Sequence, residues 1–203
     1  MDNIAHMNCN PSIGGKAKSQ LVHEINALGG LMGLAADFSG IHFKNLNYSR
    51  GESVQCLRIQ CDKYLYKNFI KNKLETLDNI TIIQGTLLNI LCESNKIKGV
   101  LTNVGIFEGK VIILTTGTFL RSNVYIGKQN NIGSKFFLNS SSLTLNLYKF
   151  GIKSYRFKTG TPPRISKTGI NFFKCLLQET DRNYTFNSYL RSMDLKKRNL
   201  KNC

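Results

Sequence analysis

The chain has 203 residues, long enough for one substantial domain or for one domain plus an appendage, and its 41% hydrophobic content suits a globular protein. No apolar run approaches the length of a membrane span, and Met1 to Asn10 lacks the basic-then-apolar layout of a signal peptide, so a cytoplasmic protein is expected. The net charge of +16 attracts polyanions, nucleic acid first among them, although a Lys-, Asn- and Ile-rich, Ala-poor composition also follows from an AT-rich coding sequence.

Cys9 stands before Pro11-Ser12-Ile13-Gly14-Gly15, which predicts a turn that opens a helix. Amides at a helix N-terminus concentrate positive potential, bind anions and favour a nearby thiolate. Cys9 is therefore a candidate nucleophile or part of a ligand-contacting loop, with a packed thiol as the alternative. Gly14 and Gly15 let the backbone approach a ligand or a neighbouring element. From Lys16, the residues Ala17, Leu21, Val22, Ile25 and Leu28 follow a helical period, which Gly29-Gly30 ends. Residues 31–58 read as irregular, punctuated by Gly33, Gly40 and Gly51. Arg58, Gln60 and Asp62 come next, either as polar contacts to a cofactor or substrate or as surface and capping residues. Asp62 suits the N-cap of a second helix with Leu65, Phe69, Ile70, Leu74 and Leu77 on one face, stopped by Asp78-Asn79.

Strand-like runs follow at Ile80 to Cys92 (broken near Gly85), Ile97 to Val104 and Lys110 to Thr115. Val111-Ile112-Ile113-Leu114 has the continuous apolar character of a strand buried on both faces. It leads into Thr115-Thr116-Gly117-Thr118, where a tight turn at the carboxyl end of a strand allows a cofactor close to the backbone of Thr116 and Gly117. Ser140-Ser141-Ser142 predicts the start of a short helix ending near Phe150, with Gly151 after it. Lys153 to Lys167 carries five basic residues and no acidic one, with Tyr155 and Phe157 interleaved and a Thr161-Pro162-Pro163 corner before Arg164. Such a run suits a phosphate backbone and stacked bases, or is an ordinary basic loop. From Arg182 to Cys203 the charge is +5 and the periodicity weak, as in a poorly ordered tail or a helix without its partner.

The six Cys form no CxxC pair and are not grouped with His6, His23 or His42, so no metal site is expected. Free thiols in a reducing compartment are expected, most of them as small buried apolar side chains. There is no GxGxxG and no GxxxxGK[ST].

Cys9 to Gly15, Leu21-Val22-His23-Glu24-Ile25 and Ala27 to Met32 closely resemble the MnmG (GidA) family of tRNA uridine 5-carboxymethylaminomethyl modification enzymes. Matches continue in order through Gly40-Ile41-His42-Phe43, Arg58, Gln60, Asp62, Leu114-Thr115, Gly117 to Leu120, Ile126-Gly127 and Lys158 to Arg164. The likeness covers roughly residues 7 to 175 and fades after Gln178. It implies an α/β fold, a partial FAD/NAD(P)-binding Rossmann-like domain of glutathione-reductase type over 1–178, followed by a basic divergent tail over 179–203. The family's first strand and GxGxxG loop are expected upstream of residue 1, so the chain reads as a partial one.

The resemblance also implies chemistry. The family modifies C5 of the wobble uridine of tRNA with FAD, NADH as reductant and methylenetetrahydrofolate as one-carbon donor. It works with an MnmE-like GTPase and as a homodimer. Cys9 falls at the position of a proposed nucleophile. Leu87 falls where the family's backbone contacts the adenine side of FAD, and Ser141 keeps a serine placed near FAD. Lys153, Arg156, Lys158 and Arg164 are the candidate tRNA contacts. The family's SKGPAV appears as Ser49 to Val54 without its Pro, and its Pro-Pro-Ser loop is replaced by Gly133 to Ser141. A folate- and FAD-dependent tRNA 5-methyluridine methyltransferase and a non-catalytic basic tRNA-binding remnant are the alternatives.

Overall fold

The computed structural model describes residues 3–120, 122–132, 141–163, 165–187 and 200–203. They form two compact units, Met1–Ile82 with Thr159–Cys203, and Ile83–Lys158.

In the first unit an antiparallel sheet is built from β1 (Ser12–Gly14), β2 (Gly40–Leu46) and β3 (Cys56–Cys61), with β3 in the middle. Helices α1 (Ser19–Ala27), α2 (Leu31–Ser39) and α3 (Lys63–Glu75) accompany it. Helix α1 stops where expected. Gly29 is left-handed at φ +85°, the Gly30 amide donates to the Ile25 carbonyl at 2.8 Å, and the Gly29 amide donates to the Asn26 carbonyl at 3.0 Å. This is a Schellman ending, which uses glycine because a Cβ disfavours that backbone region. Helix α3 starts as expected, with Asp62 Oδ1 accepting from the amides of Tyr64 (2.9 Å) and Leu65 (3.1 Å). Its buried face is turned by one position from the expected one. Tyr66 is buried, Phe69 and Ile70 pack behind it, and Leu65 stays outside.

Two expectations fail in this unit. Ser12-Ile13-Gly14 is a strand paired to β3, not a turn that opens a helix. Residues 31–58 are mostly regular: α2, β2 and β3 fill them. Helix α2 carries small residues buried on several sides (Gly33, Ala35, Ala36, Ser39), so it has no polar face to betray its period. Gly33 is small for a packing reason, since a Cβ there would lie 2.9 Å from Asn26 Oδ1 and 3.0 Å from Phe186 Cβ.

The core joins Val22, Ala35, Ala36, Phe43, Leu57, Ile59, Cys61 and Tyr66 to Phe186. Phe186 comes from the stretch expected to be a loose tail. Asp37, buried on α2, holds it by accepting from the Phe186 amide (2.9 Å) and the Asn187 amide (2.7 Å). Thr180 and Asp181 line the outer edge of β2. The Asp181 amide donates to the Phe43 carbonyl at 2.8 Å, and the Asn45 amide donates to Asp181 Oδ2 at 2.9 Å. Most of the basic residues after Asn187 lie outside the described residues.

In the second unit β4 (Leu87–Glu93), β5 (Lys96–Thr102) and β6 (Gly105–Glu108) form an antiparallel meander. Ser94 and Asn95, both at positive φ, make its first turn. Strands β7 (Asn123–Ile126) and β8 (Gln129–Ile132) form a separate hairpin. Helix α4 (Ser141–Lys149) packs on β4 through Leu143 and Leu147 against Ile90. Lys110 to Thr115 is not a strand buried on both faces. Ile112 packs on that cluster while Val111 is 78% and Ile113 82% exposed. A β-prone run becomes a strand only where neighbours complete its hydrogen bonds. The chain is thus α/β, but every strand pairing among the described residues is antiparallel, and they form no parallel sheet.

Candidate functional site

Cys9 is exposed and lies within the first unit, with its Sγ 3.7 Å from the Gly160 carbonyl oxygen as a weak donor. Strand β1 and a turn separate it along the chain from α1, so the premise of a helix N-terminus directly after Cys9 does not hold. The next residue, Asn10, accepts from Gln60 Nε2 at 3.2 Å through its Oδ1. The segment bearing the thiol is thereby tied to β3.

Gly14 and Gly15 are both left-handed, at φ +90° and +94°. The structure shows why Gly14 is a glycine: a Cβ would meet the Leu57 carbonyl oxygen on β3 at 2.2 Å. The close approach there is to a neighbouring strand. The Gly15 amide donates to the same carbonyl at 2.8 Å, but a Cβ on Gly15 would face open space.

Leu87, Thr116, Gly117, Ser141, Lys153, Arg156 and Lys158 belong to the second unit. Leu87 opens β4 opposite Thr102 and packs against the Ile90–Leu143–Leu147 cluster. Ser141 is the first residue of α4, and its side chain lies outside the described set. Thr116 and Gly117 form the expected turn: the Phe119 amide donates to the Thr116 carbonyl at 3.1 Å and Gly117 has φ +57°. Lys153, Arg156 and Lys158 are exposed in irregular backbone, as are the rings of Tyr155 and Phe157. Cations and bare aromatic faces together are what a nucleic-acid strand requires. Arg164 lies outside the described residues.

Of the six cysteines only Cys56 and Cys61 are buried, fewer than the sequence suggested, and none of the six is in a disulfide. Burial pushes the Cys61 thiol up to about 11. It also pushes the Tyr66 phenol up to about 12. Neither group is poised for chemistry near neutral pH. Among the described residues no three His, Cys, Asp or Glu side chains gather as a metal site.

One grouping was half legible. Arg58 and Gln60 stand out by sequence, but their cross-strand partners do not. In the β2–β3 register Lys44 sits opposite Arg58 and His42 opposite Gln60. The signal that could have found them is the alternation of polar and apolar residues in both segments.

The chain's likenesses agree with one another. A sequence model of the family described as "Glucose inhibited division protein A" matches residues 1–203. The tRNA uridine 5-carboxymethylaminomethyl modification enzyme MnmG of Thermodesulfovibrio yellowstonii is 43% identical over 176 residues, which is 86% of this chain and 28% of that protein. MnmG of Caldicellulosiruptor saccharolyticus is 44% identical over 183 residues, 89% of this chain and 29% of the relative. The crystal structure of Aquifex aeolicus GidA superposes with a TM-score of 0.79 at 39% identity, covering 89% of this chain and 30% of that one. The chain therefore spans 28% to 30% of the length of these relatives. Motif order, whole-chain family match and superposition together place the chain in the glucose-inhibited division protein A (GidA, MnmG) family.

Proposed function

We propose that this chain supplies part of a tRNA uridine 5-carboxymethylaminomethyl modification enzyme, contributing a nucleophilic thiol and a cationic surface for tRNA. The observation that carries this reading is the 43% to 44% identity, sustained over 174 to 185 residues, with proteins of that name.

Cys9 supports it because the thiol is exposed and lies in a segment held to β3. A thiolate adding to C6 of uracil makes C5 nucleophilic, and the C6–S bond breaks again when the C5 proton leaves after the new carbon is attached. Lys153, Arg156 and Lys158, with Arg164 further along the same run, would neutralise tRNA phosphates, while Tyr155 and Phe157 offer stacking faces.

FAD, when bound, would supply the redox step. The residues present fit part of it. A Cβ on Gly117 would meet nothing nearer than Phe119 at 3.9 Å, so the Thr116-Gly117 backbone is open to a flat ligand. Leu87 on β4 and Ser141 at the start of α4 belong to elements that pack on each other. The sequence holds no glycine-rich loop of the kind whose amides grip a pyrophosphate, so these residues would hold the ligand without gripping its phosphates. For the whole enzyme the same reading brings a Rossmann-like FAD domain, NADH, methylenetetrahydrofolate, an MnmE-like GTPase, a homodimer and a cytoplasmic location. The +16 charge alone would also suit a non-catalytic tRNA-binding remnant, which would bind tRNA without a yellow chromophore.

Cys9→Ser tests the chemistry, in an enzyme completed with the remaining regions of a relative. Serine keeps volume and polarity but is a far poorer nucleophile. Nucleoside mass spectrometry of tRNA from a complemented deletion strain is expected to show no modified wobble uridine, with flavin content unchanged. Full modification by the Ser variant would remove Cys9 from the mechanism, and loss of flavin would assign it to the cofactor loop.

A further inference from the structure

We propose that the polar face of the β1–β3–β2 sheet is a binding site for a small oxyanion, a phosphate or carboxylate group held by Arg58 with Lys44 and His42 beside it. Residues of β2 and β3 alternate between two faces. Phe43, Leu57, Ile59 and Cys61 go to the core. Lys44 and Arg58 face each other across the strands, with His42 opposite Gln60 one pair along. Like charges directly opposite each other on a sheet repel, and an anion between them reverses the sign of that interaction.

The two cations are not equally satisfied. Lys44 Nζ is 3.1 Å from Asp181 Oδ1, and the other carboxylate oxygen of Asp181 accepts from the Asn45 amide. The half-buried Arg58 has no hydrogen-bond or ion-pair partner for its guanidinium among the described residues. Its planar fork is the side chain best matched to a two-oxygen contact.

These residues line one pocket of about 170 Å³ with no Asp or Glu side chain in its walls. Cys203, which also lines it, is the last residue of the chain and carries an α-carboxylate, one oxygen of which accepts from the Gln178 amide. Gln178 and Cys203 close another side and pair with each other through the backbone. His42 Nε2 is held by the Gln178 carbonyl at 3.3 Å, which sets the ring against the pocket. The volume is below the roughly 300 Å³ at which pockets begin to take drug-sized ligands, so it suits an ion or one small anionic group, not a dinucleotide. The site uses neither Cys9 nor the 153–167 run, so it stands or falls apart from the enzymatic reading.

The test is calorimetric titration of the purified chain with inorganic phosphate and, separately, with acetate, at ionic strength held constant with chloride. The Arg58 Nε–H resonance is followed in parallel by NMR. One saturable site that shifts this resonance is expected, with affinity falling about tenfold or more in Arg58→Gln and less in Arg58→Lys. Tighter phosphate would assign the site to a phosphoryl group, and tighter acetate to a carboxylate. An unmoved Arg58 resonance with no saturable heat for either ion overturns the proposal, as does binding of wild-type strength in Arg58→Gln. The resonance is read on the wild-type chain, so the outcome is decided even where a variant does not fold.

Discussion

At the scale of single residues, the cysteines divide by exposure. Cys9 is open to solvent, as nucleophilic attack requires, whereas Cys61 is sealed among Phe43, Ile59 and Tyr66. Burial raises the Cys61 thiol from 9.0 to about 11, with the nearby Asp37 carboxylate adding to the shift and a Ser39 hydrogen bond opposing it. The folded state therefore favours the protonated thiol. That contribution to stability is whole below about pH 9 and is lost as pH rises towards about 11, because the unfolded chain ionises first. The loss amounts to at most about 3 kcal/mol. Urea midpoints of the wild-type chain should fall across this window, and Cys61→Ala should flatten the early part of the fall. Tyr66, raised from 10.0 to about 12, adds a later loss of the same sign. A Cys61→Ala curve as steep as wild type would show that the thiol is not the group responsible.

At the scale of elements, adjacent glycines separate backbone strain from close packing. Gly14 and Gly15 share nearly the same left-handed φ, but only at Gly14 would a Cβ run into β3. Gly15→Ala is expected to cost about 1–2 kcal/mol of strain, and Gly14→Ala more, by about 1–3 kcal/mol, because strand β3 must also move. Equal losses in denaturant titrations would mean that the β1–β3 approach contributes nothing. The basic run makes a different prediction. Replacing Lys153, Arg156, Lys158 and Arg164 by Gln should lower the slope of log affinity for tRNA against log salt by somewhat under one unit for each phosphate left without its cation. An unchanged slope would place the RNA-binding surface elsewhere, and absence of binding at low salt would reduce the +16 charge to a matter of composition.

At the scale of the whole molecule, the chain carries 28% to 30% of the length of its MnmG and GidA relatives, and what it holds bears on cofactor affinity. The turn at Thr116-Gly117 is formed, while the sequence has no dinucleotide glycine loop to supply pyrophosphate contacts. Purified chain is therefore expected to bind FAD weakly or not at all. A stoichiometric flavin absorbance that survives gel filtration would contradict this and would require phosphate contacts from other backbone amides.

What the sequence determined by itself was local or was carried by motif order. The Gly29-Gly30 stop of α1, the Asp62 cap of α3 and the Gly151 stop of α4 each depend on hydrogen bonds or backbone freedom within a few residues, so their signals are contiguous. Family membership was legible because long motifs recur in a set order from Cys9 to Arg164. The rest was settled only by the tertiary structure. Ser12 finds its partner at Gln60, and Phe186 finds its place beside α2 and the sheet. Arg58 meets Lys44 through a register that neither segment specifies alone. Val111 to Leu114 shows the converse, with strand-like residues left without strand neighbours. Strand pairing and burial are relations between distant segments, so alternation and apolar content state a capacity for them, and only the packed chain supplies the partner.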